Sequence, residues 1–276
     1  MTLTPVLTLA PLASDALRAP AGVPGRLSFL PVSLLVVDSR YQRPIREKGL
    51  AMIRRIAEGF DWRRFTPLVV AQVDGSDTYA IVDGQHRAAA ARMRGDIREL
   101  PCWIIEGDLK QQARAFMAIN SGGNVPGLAG WHAALAAGEP DALAVFQVCQ
   151  EAGVAIARYA AAALHRKPNE TLAPDAVRRK LAALGAGPVV RALASLRRAG
   201  SLRGDSMLSR ELIYAASEIC AAHPGLPAGA LDAALATKSA SEWGYKSTQM
   251  RHELKINGPE ACRRLIAAAL NDVSRT

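Results

Sequence analysis

Residues 79–92, with the sequence YAIVDGQHRAAAAR, constrain the fold of this chain more than any other stretch. The apolar run at 79–82 predicts a strand and the alanines after Arg87 predict a helix, so the chain must turn sharply at Gly84. The first N–H groups of a helix have no partner within the helix, and the helix dipole favours negative charge beside them. Gly84 lets a ligand approach the backbone, while His86 and Arg87 add donors suited to phosphate oxygens. The stretch therefore predicts an anion site.

The carboxylate of Asp83, directly before this turn, has two interpretations. It can cap the helix by accepting a hydrogen bond from the N–H of Gln85 or His86. Alternatively, it faces a ribose hydroxyl or a metal ion that bridges to phosphate, because a bare carboxylate would repel an anionic ligand. On the second interpretation Asp83 is the candidate metal ligand and the candidate catalytic carboxylate.

Length and composition narrow the class of protein. At about 150 residues per domain, a chain of 276 residues is expected to form two domains. The net charge of +9 predicts a polyanionic partner, with nucleic acid as the first candidate. No apolar run approaches about 18 residues, so we expect no membrane partner. Four scattered cysteines without a CxxC pair predict a reduced, cytoplasmic protein and not a zinc protein.

The first half of the chain predicts a disordered arm at 1–27, followed by a small α+β unit at 28–124. Apolar runs at 33–38, 67–72, 79–82 and 100–105 predict strands. Apolar residues at helical spacing predict one helix near 50–60 and another from 108 or 109 to 119. The turn-rich segment 120–124 then ends the unit.

The second half, residues 125–276, predicts an all-α domain in which Pro and Gly mark most of the breaks. The expected helices cover about 127–137, 140–153, 174–184, 188–199, 207–222, 227–236, 241–255 and 259–271.

Basic residues concentrate between positions 154 and 204, where the net charge is +8. A solvated helix face usually interleaves both signs, so this window favours contact with DNA phosphates, and a bland basic face is the alternative. The residues expected to contact DNA are Arg166, Lys167, Arg178, Arg179, Lys180, Arg197 and Arg198.

The order of several features in residues 33–124 resembles the ParB/sulfiredoxin-like fold, the N-terminal domain of ParB proteins that partition chromosomes and plasmids. These features are a YQRP box at 41–44, a helix, an apolar strand from Pro67, a hairpin strand, and a glycine-to-arginine box that opens a helix. The literal DGQHR box is similar to that of phage and plasmid ParB-like proteins. The expected fold class is therefore α+β, with a ParB/sulfiredoxin-like domain followed by an all-α domain.

This resemblance implies a nucleoside triphosphate, CTP or ATP, that binds with Mg²⁺. The upstream box of the family falls on Gln42 and Arg43, which would approach the nucleotide from the other side. The family's phosphate box falls on Gly84, Gln85, His86 and Arg87.

Hydrolysis in the family's nucleotide switches is supported by a Glu-Asn pair that helps to hold magnesium. The corresponding segment here is Ile119-Asn120, so the acid is missing and Asn120 remains. Asn120 and Asp83 are the metal ligands that the resemblance leaves. We therefore expect slow hydrolysis or none, which makes the chain at most a weak NTPase.

The resemblance predicts a DNA-binding protein whose nucleotide biases a conformational or dimeric state, so a homodimer is a possible assembly. One alternative is an ATP-dependent enzyme of the same fold, since free-serine kinases carry a similar box. Another is a ParB-like nuclease, which needs clustered acids for two metal ions. A third is a DNA-binding adaptor with a vestigial pocket. Sulfiredoxin chemistry is not expected, because Gln85 stands where that enzyme needs cysteine.

Overall fold

A computed structural model describes residues 17–42, 44–45, 47–120, 127–158 and 167–273. Its first part combines a sheet with helices, as the α+β prediction requires. The elements in chain order are β1 (Arg26–Pro31), β2 (Leu35–Val36), α1 (Glu47–Glu58), β3 (Leu68–Gln72), β4 (Tyr79–Asp83), α2 (Gln85–Arg94), β5 (Glu99–Ile105) and α3 (Leu109–Asn120).

The five strands form one mixed sheet in the order β1-β5-β3-β4-β2. β1 is antiparallel to β5 and β3 is antiparallel to β4, whereas β5 is parallel to β3 and β2 is parallel to β4. Side chains alternate between the two faces, so each face can be covered by a different helix. Leu68 and Val70 of β3 pack with Ala88 and Ala91 of α2 on one face. On the other face, the neighbouring Ala71 packs with residues of α3.

Two predictions at the start of the sheet were wrong. Arg26 and Leu27, assigned to the disordered arm, already belong to β1, whereas most of that arm, residues 1–16, lies outside the described residues. β1 lacks a clean polar face, because Leu27 and Phe29 are both largely exposed, and that hides the strand pattern. The strand expected at 33–38 is only the two-residue β2, preceded by a 3-10 turn. β2 lies at the edge of the sheet, where Val36 and Val37 remain partly exposed.

Helices α1 and α2 pack side by side and run in the same direction. Near their first turns, Gly49 of α1 lies against the imidazole of His86. Near their last turns, Arg94 of α2 donates a hydrogen bond of 2.9 Å to the carbonyl of Ala57. The two N-termini therefore lie together, at the edge of the sheet where β4 ends.

The second part of the chain is mainly helical. Its elements are α4 (Gly127–Ala136), α5 (Pro140–Glu151), β6 (Ala155–Ile156), β7 (Glu170–Thr171), α6 (Pro174–Leu184), α7 (Ala186–Arg203), α8 (Arg210–Ala222), α9 (Ala228–Ala236), α10 (Ala240–Leu254) and α11 (Gly258–Val273). The all-α prediction was wrong at β6 and β7, which form a two-stranded parallel pair. Each strand has only two residues, too few to produce a recognisable alternation.

Helix α4 connects the two parts. Ala133, in its last turn, and Ala137, just after its end, pack with Phe116 on the sheet side. Trp131 packs against the core of the helical part. That second core is built around Trp243, which is fully buried and donates from Nε1 to the carbonyl of Leu235 at 3.0 Å. Across the described ranges, none of the helices combines the length and the apolar character needed to cross a membrane.

Candidate functional site

The turn at Gly84 has the strand–glycine–helix geometry that the sequence predicts. Gly84 has φ +99°, in the left-handed region, and it is the N-cap of α2. A Cβ added here would overlap the Cδ2 atom of Leu68. Both the backbone angle and the close approach of β3 therefore require glycine at this position.

Arg87 has a structural role in this turn. One guanidinium nitrogen, Nη2, donates to the carboxylate of Asp83 at 2.7 Å. The other, Nη1, donates to the carbonyl and hydroxyl of Thr66 and to the carbonyl of Pro67. Arg87 thus fastens the turn to the segment that enters β3, and its side chain is only 21 % exposed. Phosphate binding by Arg87 stays a prediction.

Gln42 joins the upstream box to the turn. Its side-chain amide is buried and donates to the carbonyl of Ile81 at 3.1 Å and to that of Val82 at 2.9 Å. These are the two residues of β4 that precede Asp83. Segments some 40 positions apart in sequence therefore meet at the site. Arg43, the other residue predicted from the upstream box, lies outside the described residues.

The paired N-termini of α1 and α2 add a feature that the sequence reasoning missed. An atom at the Cβ position of Gly49 would lie 3.0 Å from Nε2 of His86, which places the imidazole between the first turns of the two helices. Each helix N-terminus attracts an anion, so two of them side by side reinforce each other. The sequence predicted a helix near 50–60, but it does not show in which direction that helix packs against α2.

A cavity of about 460 Å³ opens beside these N-termini. Its lining includes Tyr41, Gln42, Ile45, Gln85, His132 and Arg158. The first four belong to the α+β part and the last two to the helical part. The cavity therefore lies between the two parts and is wide enough for part of a small-molecule ligand.

Arg158 and His132, from the helical part, add polar groups to the cavity wall. Arg158 is exposed and donates from Nη1 to the carbonyl of Arg40 at 3.2 Å. The Nε2 atom of His132 lies 3.1 Å from the carbonyl of Ala157. Burial lowers the pKa of His132, and the nearby charge of Arg158 lowers it further, so the imidazole is neutral near pH 7. The sequence predicted neither His132 nor Arg158 as part of this site.

The side chains at this site are less suited to binding a metal ion than to binding a phosphate. The carboxylate of Asp83 is already paired with Arg87, and Asn120 donates from Nδ2 to the carbonyl of Phe116 at 2.8 Å. Where the chain is described, no group of three or more His, Cys, Asp or Glu side chains is arranged to hold a metal ion. The pair Asp83 and Asn120 therefore stays a prediction, and these surroundings fit a phosphate better than a cation.

Two cations of the basic window are neutralised by acids that are distant in sequence. Lys180 forms an ion pair with Glu218 and lies 4.4 Å from the ring centre of Tyr214. Arg198 forms an ion pair with Asp232 at 2.5 Å. These two ion pairs hold helices together, and contact of Lys180 and Arg198 with DNA stays a prediction.

The other predicted DNA contacts are more varied. Arg197 donates to the carbonyl of Ala152 at 3.1 Å. Arg178 and Arg179 both pair with Asp175, but their side chains are 46 % and 61 % exposed. Lys167 is 71 % exposed and pairs with Glu170, and Arg166 lies outside the described residues.

Comparisons with known proteins give no family assignment. No protein-family model matches the chain, and no curated protein matches it. Among solved structures, the chain is similar to the C-terminally truncated chromosome-partitioning protein ParB from Caulobacter crescentus in complex with CTP-γ-S. That match has 19 % sequence identity and a TM-score of 0.31, and it covers 70 % of this chain and 93 % of the ParB chain.

Proposed function

We propose that this protein binds a nucleoside triphosphate in the cleft between its two parts and binds DNA through its helical part. The observation that carries the proposal is the meeting of two parallel helix N-termini at a left-handed glycine, directly beside a cavity. Phosphates would lie at the N-termini of α1 and α2, and the base and sugar would occupy the cavity.

Two features of the cleft favour this placement. First, the glycine turn and the two helix dipoles favour an anion at one end of the cleft. Second, the remaining wall is largely apolar, with Tyr41 and Ile45, and it carries a few polar groups in Gln85 and Arg158. A ligand with a charged end and a flat, partly apolar end fits such a surface.

Arg158 gives the ligand a way to act on the helical part. Its guanidinium currently holds the carbonyl of Arg40, across the boundary between the two parts. A nucleotide that took over this donor would change the interaction between them. The ligand would thus bias a conformational state, and with it a dimeric state if the chain forms a homodimer.

The ligand would bring Mg²⁺ with its phosphates, since this ion usually keeps one or two protein carboxylates and several waters. We assign no chemical step to the ion, because Asp83 is already paired with Arg87. The nucleotide switches that this chain resembles carry an acid at the position of Ile119. An isoleucine cannot orient water or bind a metal. We therefore propose slow hydrolysis or none.

A calorimetric binding panel tests the nucleotide site. Full-length protein is titrated with ATP, CTP, GTP and UTP in the presence of Mg²⁺, with and without duplex DNA. We expect at least one nucleotide to bind, and Arg158→Gln to weaken it about tenfold, since a hydrogen bond to a charged group contributes about 1.5–3 kcal/mol. The matched control is Arg54→Gln, which changes an exposed arginine of α1 and should leave binding unchanged.

Two outcomes would overturn the nucleotide proposal. The first is that none of the four nucleotides binds. The second is that Arg158→Gln and wild type bind equally, which would place the ligand elsewhere. A phosphate-release assay on the same samples separates the switch from the enzyme, because vigorous release or transfer of phosphate to serine would favour the kinase-like alternative.

The proposal that the helical part binds DNA rests on the net charge of +9 and on the exposed cations of α6. Exposed ion pairs contribute about 0–1 kcal/mol, so Arg178 and Arg179 can exchange Asp175 for a DNA phosphate at little cost. Lys180 and Arg198 are held in less exposed pairs and are not part of this proposed surface.

Salt-dependent binding to duplex DNA tests this surface. Replacing both Arg178 and Arg179 with Glu should weaken binding to all sequences, and the slope of log K against log salt should fall by about 0.9 for each DNA phosphate that the variant no longer neutralises. Reversing Arg63, an exposed arginine of the α+β part, is the control. Undiminished binding and an unchanged slope in the double variant would place the DNA surface elsewhere.

A further inference from the structure

Gly49 is a glycine that helix α1 does not need. It is the third residue of α1, and its φ is not in the left-handed region. Glycine is the poorest helix former after proline, because ordering its backbone costs the most entropy. Neither the backbone geometry nor the stability of α1 therefore explains its presence.

The surroundings of Gly49 provide an explanation. A Cβ at this position would lie 3.0 Å from Nε2 and 3.6 Å from Cδ2 of His86, and 3.2 Å from Cγ2 of Ile45. The first and third distances are tighter than ordinary van der Waals contacts. Any side chain here would have to displace the imidazole or the isoleucine, and the isoleucine forms part of the cavity wall.

We propose that Gly49 is a positioning residue: the space left by its missing side chain holds the imidazole of His86 between the two helix N-termini, where it contacts a phosphate group of the ligand. This inference rests on the proposed function and adds a determinant from α1, outside both sequence boxes. Gly49 itself does not touch the ligand and acts only through His86.

Stability and binding should respond differently to Gly49→Ala. Helix α1 gains a better helix former, which offsets the cost of displacing the imidazole, so the melting temperature should change little. The displaced imidazole should weaken nucleotide binding about three- to tenfold. An unrelated folding defect would lower both quantities together, so the two explanations are separable.

The matched control is Gly187→Ala. Gly187 is the second residue of α7, and a Cβ added there meets no atom within 4 Å. This variant also replaces a glycine in the first turn of a helix with alanine. It should gain helix stability in the same way and leave both nucleotide affinity and the imidazole NMR signals of His86 unchanged.

A double-mutant cycle with His86→Gln completes the experiment, with calorimetry of the best-binding nucleotide and imidazole NMR as readouts. We expect Gly49→Ala to shift the signals of His86 and to have no further effect on affinity in the His86→Gln background, because coupled residues are not additive. If wild type binds a nucleotide and Gly49→Ala binds it equally well, the positioning role is refuted and the proposed function survives. If wild type binds none, the proposed function itself fails, and this role fails with it.

Discussion

The turn at Gly84 and the basic window at 154–204 show opposite relations between sequence and space. Gln42 and the DGQHR box are distant in sequence, yet two hydrogen bonds from Gln42 to β4 bring them together. The window is continuous in sequence, yet Glu218 and Asp232, from other helices, neutralise two of its cations, Lys180 and Arg198. Proximity along the chain is therefore a poor guide to a charged surface, because ion pairs form wherever packing brings opposite charges together.

The two regions also differ in what they tolerate. The turn depends on a backbone angle and a close approach that only glycine allows, so it should respond sharply to a single methyl group. The basic window depends on many separate ion pairs, most of them partly exposed, so single changes there should have smaller effects. Substitutions in and around the two regions test this contrast, from the largest expected effect to the smallest.

Gly84→Ala should have the largest effect. A left-handed angle and an overlap with Leu68 are both expected to destabilise the variant, and together they should cost about 2–4 kcal/mol of unfolding free energy. Urea unfolding followed by circular dichroism measures the loss. Gly95→Ala is the control, because Gly95 also has a positive φ (77°) but open space around it, and it should cost about 1 kcal/mol. Equal losses in the two variants would show that the close approach of Leu68 is unimportant.

Lys180→Ala should have an intermediate effect. Its side chain is 12 % exposed, pairs with Glu218 and lies over Tyr214, so its removal should cost about 1–2 kcal/mol, between the values for exposed and buried ion pairs. Arg179→Ala, at the adjacent position, removes an exposed cation of the same helix. It should lower the unfolding free energy by less than about 0.5 kcal/mol. The same unfolding measurement compares them. A larger loss for Arg179 would reverse our assignment of which cations are structural.

The pH dependence of stability should show the smallest effect, at His132. Burial lowers its pKa in the folded protein below the usual value of 6.5, so the unfolded chain binds the proton more readily. The contribution of neutral His132 to stability is therefore complete above pH 6.5 and declines as the pH falls towards the lowered pKa. Unfolding free energies between pH 8 and pH 5 should fall more steeply for wild type than for His132→Gln. Parallel curves would show that this imidazole is not protected from solvent.

Periodicity predicted most of the regular elements of the fold. The strands at 67–72, 79–82 and 100–105 correspond to β3, β4 and β5, because their apolar residues are buried in the sheet. Prediction failed at the margins of the sheet. Leu27 and Phe29 are exposed on β1, and Val37, just after β2, is also exposed, so apolar content there does not report burial.

The candidate site was predicted in part. The residues of the glycine turn could be read from sequence because a strand, a glycine and a helix in succession allow few geometries. The structural role of Arg87 could not be predicted from sequence. The carbonyls of Thr66 and Pro67 that accept its hydrogen bonds belong to a segment about 20 positions earlier. Arg158 and His132 were missed as cavity residues because they come from the other part of the chain.

The sequence by itself determined the sharp turn at Gly84, the helix that follows it and the excess of positive charge, since these depend on local geometry and composition. Tertiary structure alone decided that α1 and α2 run parallel with adjacent N-termini, that Arg158 reaches the cleft and that Lys180 is neutralised. The physical reason is range. Backbone conformation is set by neighbours within a few residues, whereas the direction of helix packing and the partner of a charge are set by whichever distant surfaces the core brings into contact.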